Sequence, residues 1–367
     1  MTTQALHDLI DRVLSAGNLR QPVHIQGGGS KDFYGEVPSG VPLSMAALQG
    51  ISSYEPSELV VTVRAGTPLA ELEEVLAAHG QYLAFEPPRF SPHGTIGGMV
   101  AAGLSGPSRA SVGSLRDFVL GVSILNGRAQ VLNFGGRVIK NVAGYDVSRL
   151  MCGAMGTLGL ILEVSLKVLP LPTATATLRF ALDEPDAIQK MNLWAAQPLA
   201  IHATAWAQGQ LYLRLSGASA AVTAAVRQLS ASHGGTLLEP EVARLFWASL
   251  RDQTAPFFQA DPQRPLWRLS VPSAASPLPL PEDLAASENV LIEWGGAQRW
   301  WRTHAPAIAI RKVAEAAGGH ATLFRSNRER REVFTPLSGP VEKIHRALKQ
   351  SFDPEALFNP GRMYPGL

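Results

Sequence analysis

Glycine recurs in three short clusters in the first half of the chain, and these clusters constrain the fold more than any other feature. They are Gly27-Gly28-Gly29-Ser30, the glycine-rich stretch over residues 95–113, and Gly153-Ala-Met-Gly156-Thr-Leu-Gly159. Successive N–H groups of a glycine triplet after a strand can converge on an anion, so the first cluster suits a phosphate or pyrophosphate. The second has little side-chain bulk and would let a flat ring system lie against main chain. The third can receive an adenine or ribose edge.

Each cluster, taken alone, has a plainer explanation as a tight turn or as close packing of backbone. None of them is a Rossmann fingerprint, which needs G-x-G-x-x-G after a strand and an acidic residue about 20 positions further on. Gly153, Gly156 and Gly159 are instead spaced every third residue, and no G-x-x-x-x-G-K-[ST] phosphate loop occurs. The clusters therefore do not support an ordinary NAD or ATP site.

Composition and charge exclude several classes of protein. The chain has 367 residues, which suggests two domains, or one with a large insertion, at roughly 150 residues per domain. Charged residues are 17% of the chain, against about 25% in typical domains, and 34 glycines and 27 prolines take up much of the difference. The net charge of +2 shows no basic surplus for nucleic acid.

The single cysteine, Cys152, bears on redox chemistry and on compartment. It cannot form an internal disulfide, and it cannot supply the four thiolates of an iron–sulfur cluster. Residues 1–19 lack the pattern of a signal peptide, and no apolar run reaches the ~18 residues of a membrane span. We therefore expect a cytoplasmic protein with no transmembrane segment, which partners can bring to the inner membrane as a peripheral component.

Hydrophobic periodicity predicts a different pattern of helices and strands in each half of the chain. In the first half, the predicted elements are a helix over 6–14, strands over 23–25 and 59–63, a helix with Thr67 as N-cap, a strand over 82–85, a hairpin of 118–125 and 129–133 with Asn126-Gly127 as its turn, and a strand over 160–168. After Pro170 and Pro172 they are a hairpin of 201–206 and 211–215, helices over 219–232 and 306–317, a strand over 290–294 and a helix holding Val341, Ile344 and Leu348. Seven prolines over 256–281 predict long loops there.

The order of the motifs resembles flavoproteins of the vanillyl-alcohol oxidase type, whose FAD domain is also called the PCMH-type domain. The matching segments are Ile25-Gln-Gly-Gly-Gly-Ser-Lys31, Val61-Thr-Val-Arg-Ala-Gly-Thr-Pro68, Thr95-Ile-Gly-Gly-Met-Val-Ala-Ala-Gly103, Gly113-Ser-Leu-Arg-Asp117, Lys140-Asn-Val-Ala-Gly-Tyr-Asp146, Gly156-Thr-Leu-Gly159, Phe352-Asp-Pro354 and Phe358-Asn-Pro-Gly361. Within this family, the segments Glu293 to Trp300 and Phe334-Thr-Pro-Leu337 make the chain similar to the E-subunit family of glycolate oxidases (glycolate dehydrogenases).

The resemblance implies an α+β fold. It consists of a two-subdomain PCMH-type FAD-binding domain over 1–172, a smaller cap domain with an antiparallel sheet and helices over 173–335, and a C-terminal segment over 336–367 that returns to the FAD domain. It also implies the residues that bind the cofactor. These are Gly27, Gly28, Gly29, Ser30, Thr95, Gly97, Gly98, Ala102, Gly103, Ser105, Arg109, Ser111, Gly113, Gly156, Gly159, Ile161 and Asn359, with Gly361 near the ring.

Two departures from the family pattern shape the expected chemistry. Relatives that attach FAD covalently carry a histidine in the first glycine loop, where this chain has Gly28-Gly29-Ser30-Lys31, so we expect non-covalent FAD. The hydroxy-acid dehydrogenases carry a metal-binding H-x-G-D-G-N-x-H stretch where this chain keeps only His320. We therefore expect no metal site and assign no catalytic residue. Arg325, Arg328 and His320 are the candidates.

Three functions stay open at this point. The first is an FAD-binding subunit of a glycolate oxidase complex, which takes part in oxidation of glycolate to glyoxylate beside a second flavin subunit and an iron–sulfur subunit. The second is a self-sufficient FAD-dependent hydroxy-acid or alcohol oxidoreductase, with Arg325 or Arg328 binding a substrate carboxylate. The third is a non-catalytic assembly subunit in which Trp294, Trp300 and Trp301 face a partner, although core packing also explains these tryptophans.

Overall fold

The structure, a computed structural model, describes residues 3–136, 146–284, 289–327 and 330–367. Its contacts divide the chain into two compact units. Unit 1 comprises Met1–Leu104, Ser114–Pro170 and Pro336–Leu367, and unit 2 comprises Ser105–Gly113 and Leu171–Thr335. The short segment Ser105–Gly113 thus belongs to unit 2, although the sequence analysis placed it in the FAD domain.

The described residues form both helices and strands. The helices are α1 (Thr3–Leu19), α2 (Leu69–Ala78), α3 (Ile96–Ala102), α4 (Arg109–Val112), α5 (Leu115–Phe118), α6 (Val147–Leu150), α7 (Glu184–Ala195), α8 (Ser219–His233), α9 (Pro240–Arg251), α10 (Pro256–Gln259), α11 (Ala307–Ala316) and α12 (Gly339–Phe352). The strands are β1 (Val23–Gln26), β2 (Val41–Ser44), β3 (Ile51–Glu55), β4 (Val60–Arg64), β5 (Gln81–Tyr82), β6 (Val119–Leu125), β7 (Val131–Gly135), β8 (Leu160–Lys167), β9 (Leu169–Pro170), β10 (Ala174–Ala181), β11 (Ile201–Ala207), β12 (Gln210–Gly217), β13 (Thr236–Leu237), β14 (Leu266–Ser270), β15 (Val290–Glu293), β16 (Gln298–Arg302) and β17 (His320–Arg325).

The described residues of unit 1 form three sheets. A five-stranded antiparallel sheet has the order β3-β4-β8-β6-β7, β1 pairs with β2 in parallel, and β5 pairs with β9. Leu9 and Val13 of α1 pack with Val23 of β1, Leu160 of β8 and Phe358 near the C-terminus in one apolar core. This core fastens the C-terminal segment to β1, the strand that leads into the first glycine cluster.

Unit 2 is built on an eight-stranded antiparallel sheet in the order β13-β10-β12-β11-β15-β16-β14-β17. The β11–β12 hairpin turns through Gln208 and Gly209, whose φ angles are both positive (51° and 72°). A two-residue turn needs positive φ at both positions to match the twist of the flanking strands. The apolar core of unit 2 includes Trp194 and Trp301, which are almost fully buried. Together with unit 1, this antiparallel sheet with its helices confirms the predicted α+β fold class.

Tertiary contacts change several local predictions in the first half. Thr67 does not cap α2, because its hydroxyl bonds the backbone of Gly50 and Pro68 takes the cap position. The predicted strand over 82–85 is reduced to β5. The β6–β7 connection is longer than a two-residue turn, since Asn126 N–H donates to the Gln130 carbonyl at 3.0 Å.

The proline-rich stretch over 256–281 is more ordered than the sequence predicts. It contains α10 and the strand β14, which lies between β16 and β17 in the sheet. Pro265 stands just before β14, outside the ladder, so it removes no hydrogen-bond donor from the strand.

Two of the three tryptophans considered for a partner surface lie in the core. Trp300 and Trp301 are 4% and 1% exposed. Trp300 Nε1 donates to Glu293 Oε2 at 2.7 Å, and its ring meets Phe258 and Phe324 edge-on. Trp294 is half-buried, and its Nε1 donates to the Gly106 carbonyl at 3.0 Å. Trp300 and Trp301 therefore pack unit 2 internally.

Among the helices of the described residues, none is both long enough and apolar enough to cross a membrane.

Candidate functional site

The first glycine cluster opens into a cavity of unit 1. β1 runs parallel to β2 and ends at Gln26, and residues 27–30 then turn along the wall of two adjoining pockets. The two pockets share part of their lining, including Thr95 and Asn359, so they form one groove.

The glycine loop lines this groove and carries N–H groups without a hydrogen-bond partner among the described residues. In the part of the chain that the structure describes, no acceptor receives a hydrogen bond from the N–H groups of residues 27–30. Gly29 has a φ of 67°, a conformation that favours glycine. A Cβ on Gly28 would overlap the carbonyl oxygen of His93, so glycine is also required for the close approach of these two segments. A glycine loop with several unpaired N–H groups beside a groove can bind an anion.

Cationic side chains stand beside this loop. Lys31 Nζ lies 3.3 Å from Ser30 Oγ and 5.9 Å from the centre of the Phe90 ring, and burial lowers the pKa of its ammonium to about 8. Arg362, which is buried, donates to the carbonyls of Glu36, Lys31 and Asp32 and also lines the groove. The positive charge of both residues complements an anion at the loop.

The second glycine cluster forms the next wall of the groove through α3. The hydroxyl of Thr95 accepts a hydrogen bond from Gly98 N–H at 3.2 Å and so caps the helix. Gly97 N–H donates to the Ala65 carbonyl at 2.7 Å, and a Cβ on Gly97 would lie 2.8 Å from the Ala65 side chain. The glycines of α3 therefore bring its backbone close to β4 and leave the groove open on the other side.

The third cluster lines the far end of the groove. Gly156, Gly159 and Ile161 face it together with Asn359. Gly156 has a φ of 72°, and a Cβ there would lie 2.6 Å from Asn359 Nδ2. Because of this contact, Gly156 is needed to make room for the Asn359 side chain.

The structure brings together most of the predicted cofactor residues. Those that line the groove are Gly27, Gly28, Gly29, Ser30, Thr95, Gly97, Gly98, Ala102, Gly156, Gly159, Ile161 and Asn359. Lining residues that the sequence analysis missed include His24, Lys31, Met155 and Arg362. Lys31 directly follows the glycine cluster and could have been found by its position.

Other predicted cofactor residues make contacts elsewhere. Gly103 ends α3 with a φ of 64°, and a Cβ there would lie 2.8 Å from the backbone of Gly153. Ser105, Arg109, Ser111 and Gly113 belong to unit 2. There the Arg109 guanidinium lies 4.5 Å from the centre of the Trp294 ring, and Ser111 Oγ donates to the Ile201 carbonyl at 3.2 Å. Their roles in binding FAD stay predictions.

The candidates for catalysis stand on or after the edge strand β17. Arg325 donates to Gln253 Oε1 at 2.9 Å, and burial lowers the pKa of its guanidinium. His320 is exposed as a whole residue, yet the surrounding protein partly desolvates its ring; this desolvation and then the positive charge of Arg268 lower its pKa. Arg328 and the Lys140 to Tyr145 part of the resemblance lie outside the described residues. Searched over the described ranges, the chain shows no group of three or more His, Cys, Asp or Glu residues that could hold a metal ion.

Cys152 has the surroundings of a structural residue. It is half-buried, its thiol lies 3.7 Å from the Ser148 carbonyl, and burial raises the pKa of the thiol to about 12. Because the thiolate is the reactive form, this cysteine is unreactive near neutral pH.

Comparison with known proteins identifies the family. The model of the FAD binding domain matches residues 3–135. The chain is 44% identical over 359 residues to the glycolate oxidase subunit GlcE of Escherichia coli (strain K12), which covers 98% of this chain and 97% of that protein. The chain belongs to the GlcE family of glycolate oxidase subunits. The predicted resemblance and the predicted cofactor, FAD, are confirmed.

More distant relatives share the first part of the chain or the fold alone. The chain is 30% identical over 184 residues to the glycolate oxidase subunit GlcD of Bacillus subtilis (strain 168), which covers 49% of this chain and 39% of that protein. It is 30% identical over 151 residues to a D-lactate dehydrogenase of Archaeoglobus fulgidus. The matched part covers 41% of this chain and 33% of that protein. The solved structure of an alkyldihydroxyacetonephosphate synthase has a TM-score of 0.64 and 14% identity over 96% of this chain and 75% of its own. At that identity, the likeness concerns the fold.

The residues of the groove fit FAD. The unpaired N–H groups of residues 27–30, with Lys31 beside them, suit its pyrophosphate. The glycines of α3 leave backbone open to a flat ring, and the far wall carries the polar side chain of Asn359.

Proposed function

We propose that this chain is the FAD-binding subunit of a multi-subunit glycolate oxidase, an oxidoreductase that converts glycolate to glyoxylate. The observation that carries the proposal is the glycine loop over 27–30. It lines a groove, its N–H groups have no partner among the described residues, and the chain matches GlcE over nearly its whole length. The names of the GlcE and GlcD relatives, both glycolate oxidase subunits, support the substrate and the presence of a second subunit.

The groove residues would bind and orient the cofactor. The N–H groups of 27–30, Ser30 Oγ and the Lys31 ammonium would hold the pyrophosphate, Thr95 and α3 would lie along the cofactor, and Gly156 and Ile161 would border the ribose and adenine. When bound, FAD supplies a two-electron acceptor for the hydride of a 2-hydroxy acid. The contribution of this chain is binding, positioning and charge around the pyrophosphate.

The oxidation needs partner subunits. The metal-binding stretch of hydroxy-acid dehydrogenases is reduced to His320, and this histidine is exposed at the start of an edge strand. Cys152 cannot build an iron–sulfur centre alone. We therefore assign substrate activation to a second flavin subunit and onward one-electron transfer to an iron–sulfur subunit. We place the assembly in the cytoplasm, with any contact with the inner membrane made through partners.

The test compares the assembled complex with the isolated chain. The full chain is purified with its partners and alone, and glycolate-dependent reduction of a redox dye is measured for both. We expect flavin in both preparations and glycolate oxidation only in the complex. Robust oxidation by the isolated chain would contradict the role of partners, and absence of flavin from the chain would contradict its role as an FAD-binding subunit.

A further inference from the structure

A buried ion pair lies behind the wall of the groove and is not part of its lining. Lys349 and Asp353, one turn apart at the end of α12, are both buried, and Nζ lies 2.8 Å from Oδ2. Lys349 Nζ also donates to the carbonyls of Thr157 and Phe358, each at 2.8 Å. Its three protons therefore each have an acceptor, as burial of an ammonium demands.

Asp353 uses its carboxylate to fold the segment that follows α12. Oδ1 accepts the N–H of Leu357 at 3.0 Å, and Oδ2 accepts the N–H of Phe358 at 2.8 Å. The fold leaves a space for this carboxylate at the β6–β7 turn, where a Cβ on Gly127 would lie 2.5 Å from Oδ1. Gly127 N–H also donates to the Phe352 carbonyl at 2.8 Å. The pair is thus seated in a site shaped for it.

The segment that this pair folds runs along β1. Val23 N–H donates to the Leu357 carbonyl at 2.7 Å, and Asn359 N–H donates to the Val23 carbonyl at 3.0 Å. The Asn359 side chain accepts the N–H of Ile25 at 2.8 Å and donates to the Met155 carbonyl at 2.7 Å. Asn359 therefore joins β1, which leads into the glycine loop, to the third glycine cluster.

We infer that Lys349 and Asp353 are positioning residues for the FAD groove, which act through Asn359. The buried pair fixes the turn over 353–358, this turn places Asn359 between β1 and the third glycine cluster, and Asn359 sets the distance between the two walls that would hold the cofactor. The inference rests on the proposed function only in naming FAD as the occupant. The contacts that carry it span 334 residues of sequence and lie wholly in unit 1.

The test is a double-mutant cycle on FAD affinity in the full chain. Asp353→Asn keeps the shape of the side chain but turns an NH₂ group toward a donor, so the turn loses one of its acceptors. We expect the dissociation constant of FAD to rise about tenfold, equal to about 1.4 kcal/mol, for Asp353→Asn and for Asn359→Ala. We expect no further rise in the double variant, because one change acts through the other.

The matched control is Glu342→Gln in the same helix. Glu342 pairs with Arg346 at 2.6 Å with the same i,i+4 spacing as Lys349–Asp353, but both side chains are exposed. Loss of this pair should leave the FAD dissociation constant within about twofold of the parent value, since exposed ion pairs contribute little. If Asp353→Asn does not fold, Lys349→Gln, which keeps two of the three N–H donors and loses the charge, takes its place in the cycle.

A second readout needs no cofactor. Ile25 N–H is held by Asn359 Oδ1, so its hydrogen exchange in the FAD-free chain should speed up about tenfold in Asp353→Asn and stay unchanged in Glu342→Gln. Unchanged exchange and unchanged FAD affinity in a folded Asp353→Asn variant, or additive effects in the double variant, would overturn the inference. Failure of the parent chain to bind FAD, with the exchange effect present, would instead overturn the proposed function.

Discussion

Lys31 allows the pyrophosphate assignment to be tested through pH. Burial alone lowers the pKa of its ammonium to about 8. A bound pyrophosphate would favour the charged form and raise this pKa. The complex then holds more protons than the free chain above pH 8, so FAD affinity must fall as the pH rises through this value.

The magnitude follows from the free-chain pKa. With a pKa near 8, Lys31 is about nine-tenths protonated at pH 7 and about one-tenth protonated at pH 9. If the complex keeps the proton throughout this range, the dissociation constant of FAD rises about tenfold from pH 7 to pH 9. Fluorescence quenching of FAD on titration with the full chain measures this slope.

Two variants separate the proton effect from other causes. Lys31→Arg keeps its charge over the whole range, so its FAD affinity should be nearly constant between pH 7 and pH 9. Lys31→Met loses a charge-assisted contact, about 1.5–3 kcal/mol, and should bind FAD roughly 10- to 100-fold more weakly at pH 7 with a flat pH profile. A Lys31→Arg variant with the same pH slope as the parent chain would refute the reasoning.

Three further predictions concern other parts of the molecule. Gly28→Ala should abolish FAD retention on gel filtration, because a Cβ there overlaps the His93 carbonyl, and near-parental retention would show that the loop does not hold the cofactor. Trp300→Phe should lower the free energy of unfolding in urea by about 1–3 kcal/mol, since it removes a donor from buried Glu293, and an unchanged midpoint and slope would contradict this. Cys152, with a thiol pKa of about 12, should resist a disulfide reagent at pH 8 in the folded chain and react in denaturant, whereas rapid native reaction would contradict its assignment as a structural residue.

The sequence was enough to predict the loop that faces the groove. A glycine triplet after a short strand is by itself explained by a tight turn, and it was the order of the three clusters that indicated one family. The fold class followed from the resemblance to that family. The structure adds that Gly28 serves a packing contact with His93 as well as an opening to the groove.

The remaining parts of the site depend on contacts between distant residues. Gly127 reads as a turn residue and Gly156 as a cofactor contact, yet each leaves room for a side chain of the C-terminal segment, Asp353 and Asn359. Arg362 reaches the loop across more than 300 residues of chain. No local sequence pattern predicts such pairings, because periodicity indicates which face of an element is buried and not which distant residues pack against that face.

The central claim is that this chain holds FAD without a covalent bond in the groove beside residues 27–30. The most direct measurement is acid precipitation of the purified full-length chain, followed by flavin determination in supernatant and pellet. The account predicts stoichiometric FAD, all of it in the supernatant. A chain without flavin, or flavin that stays in the protein pellet, would contradict it.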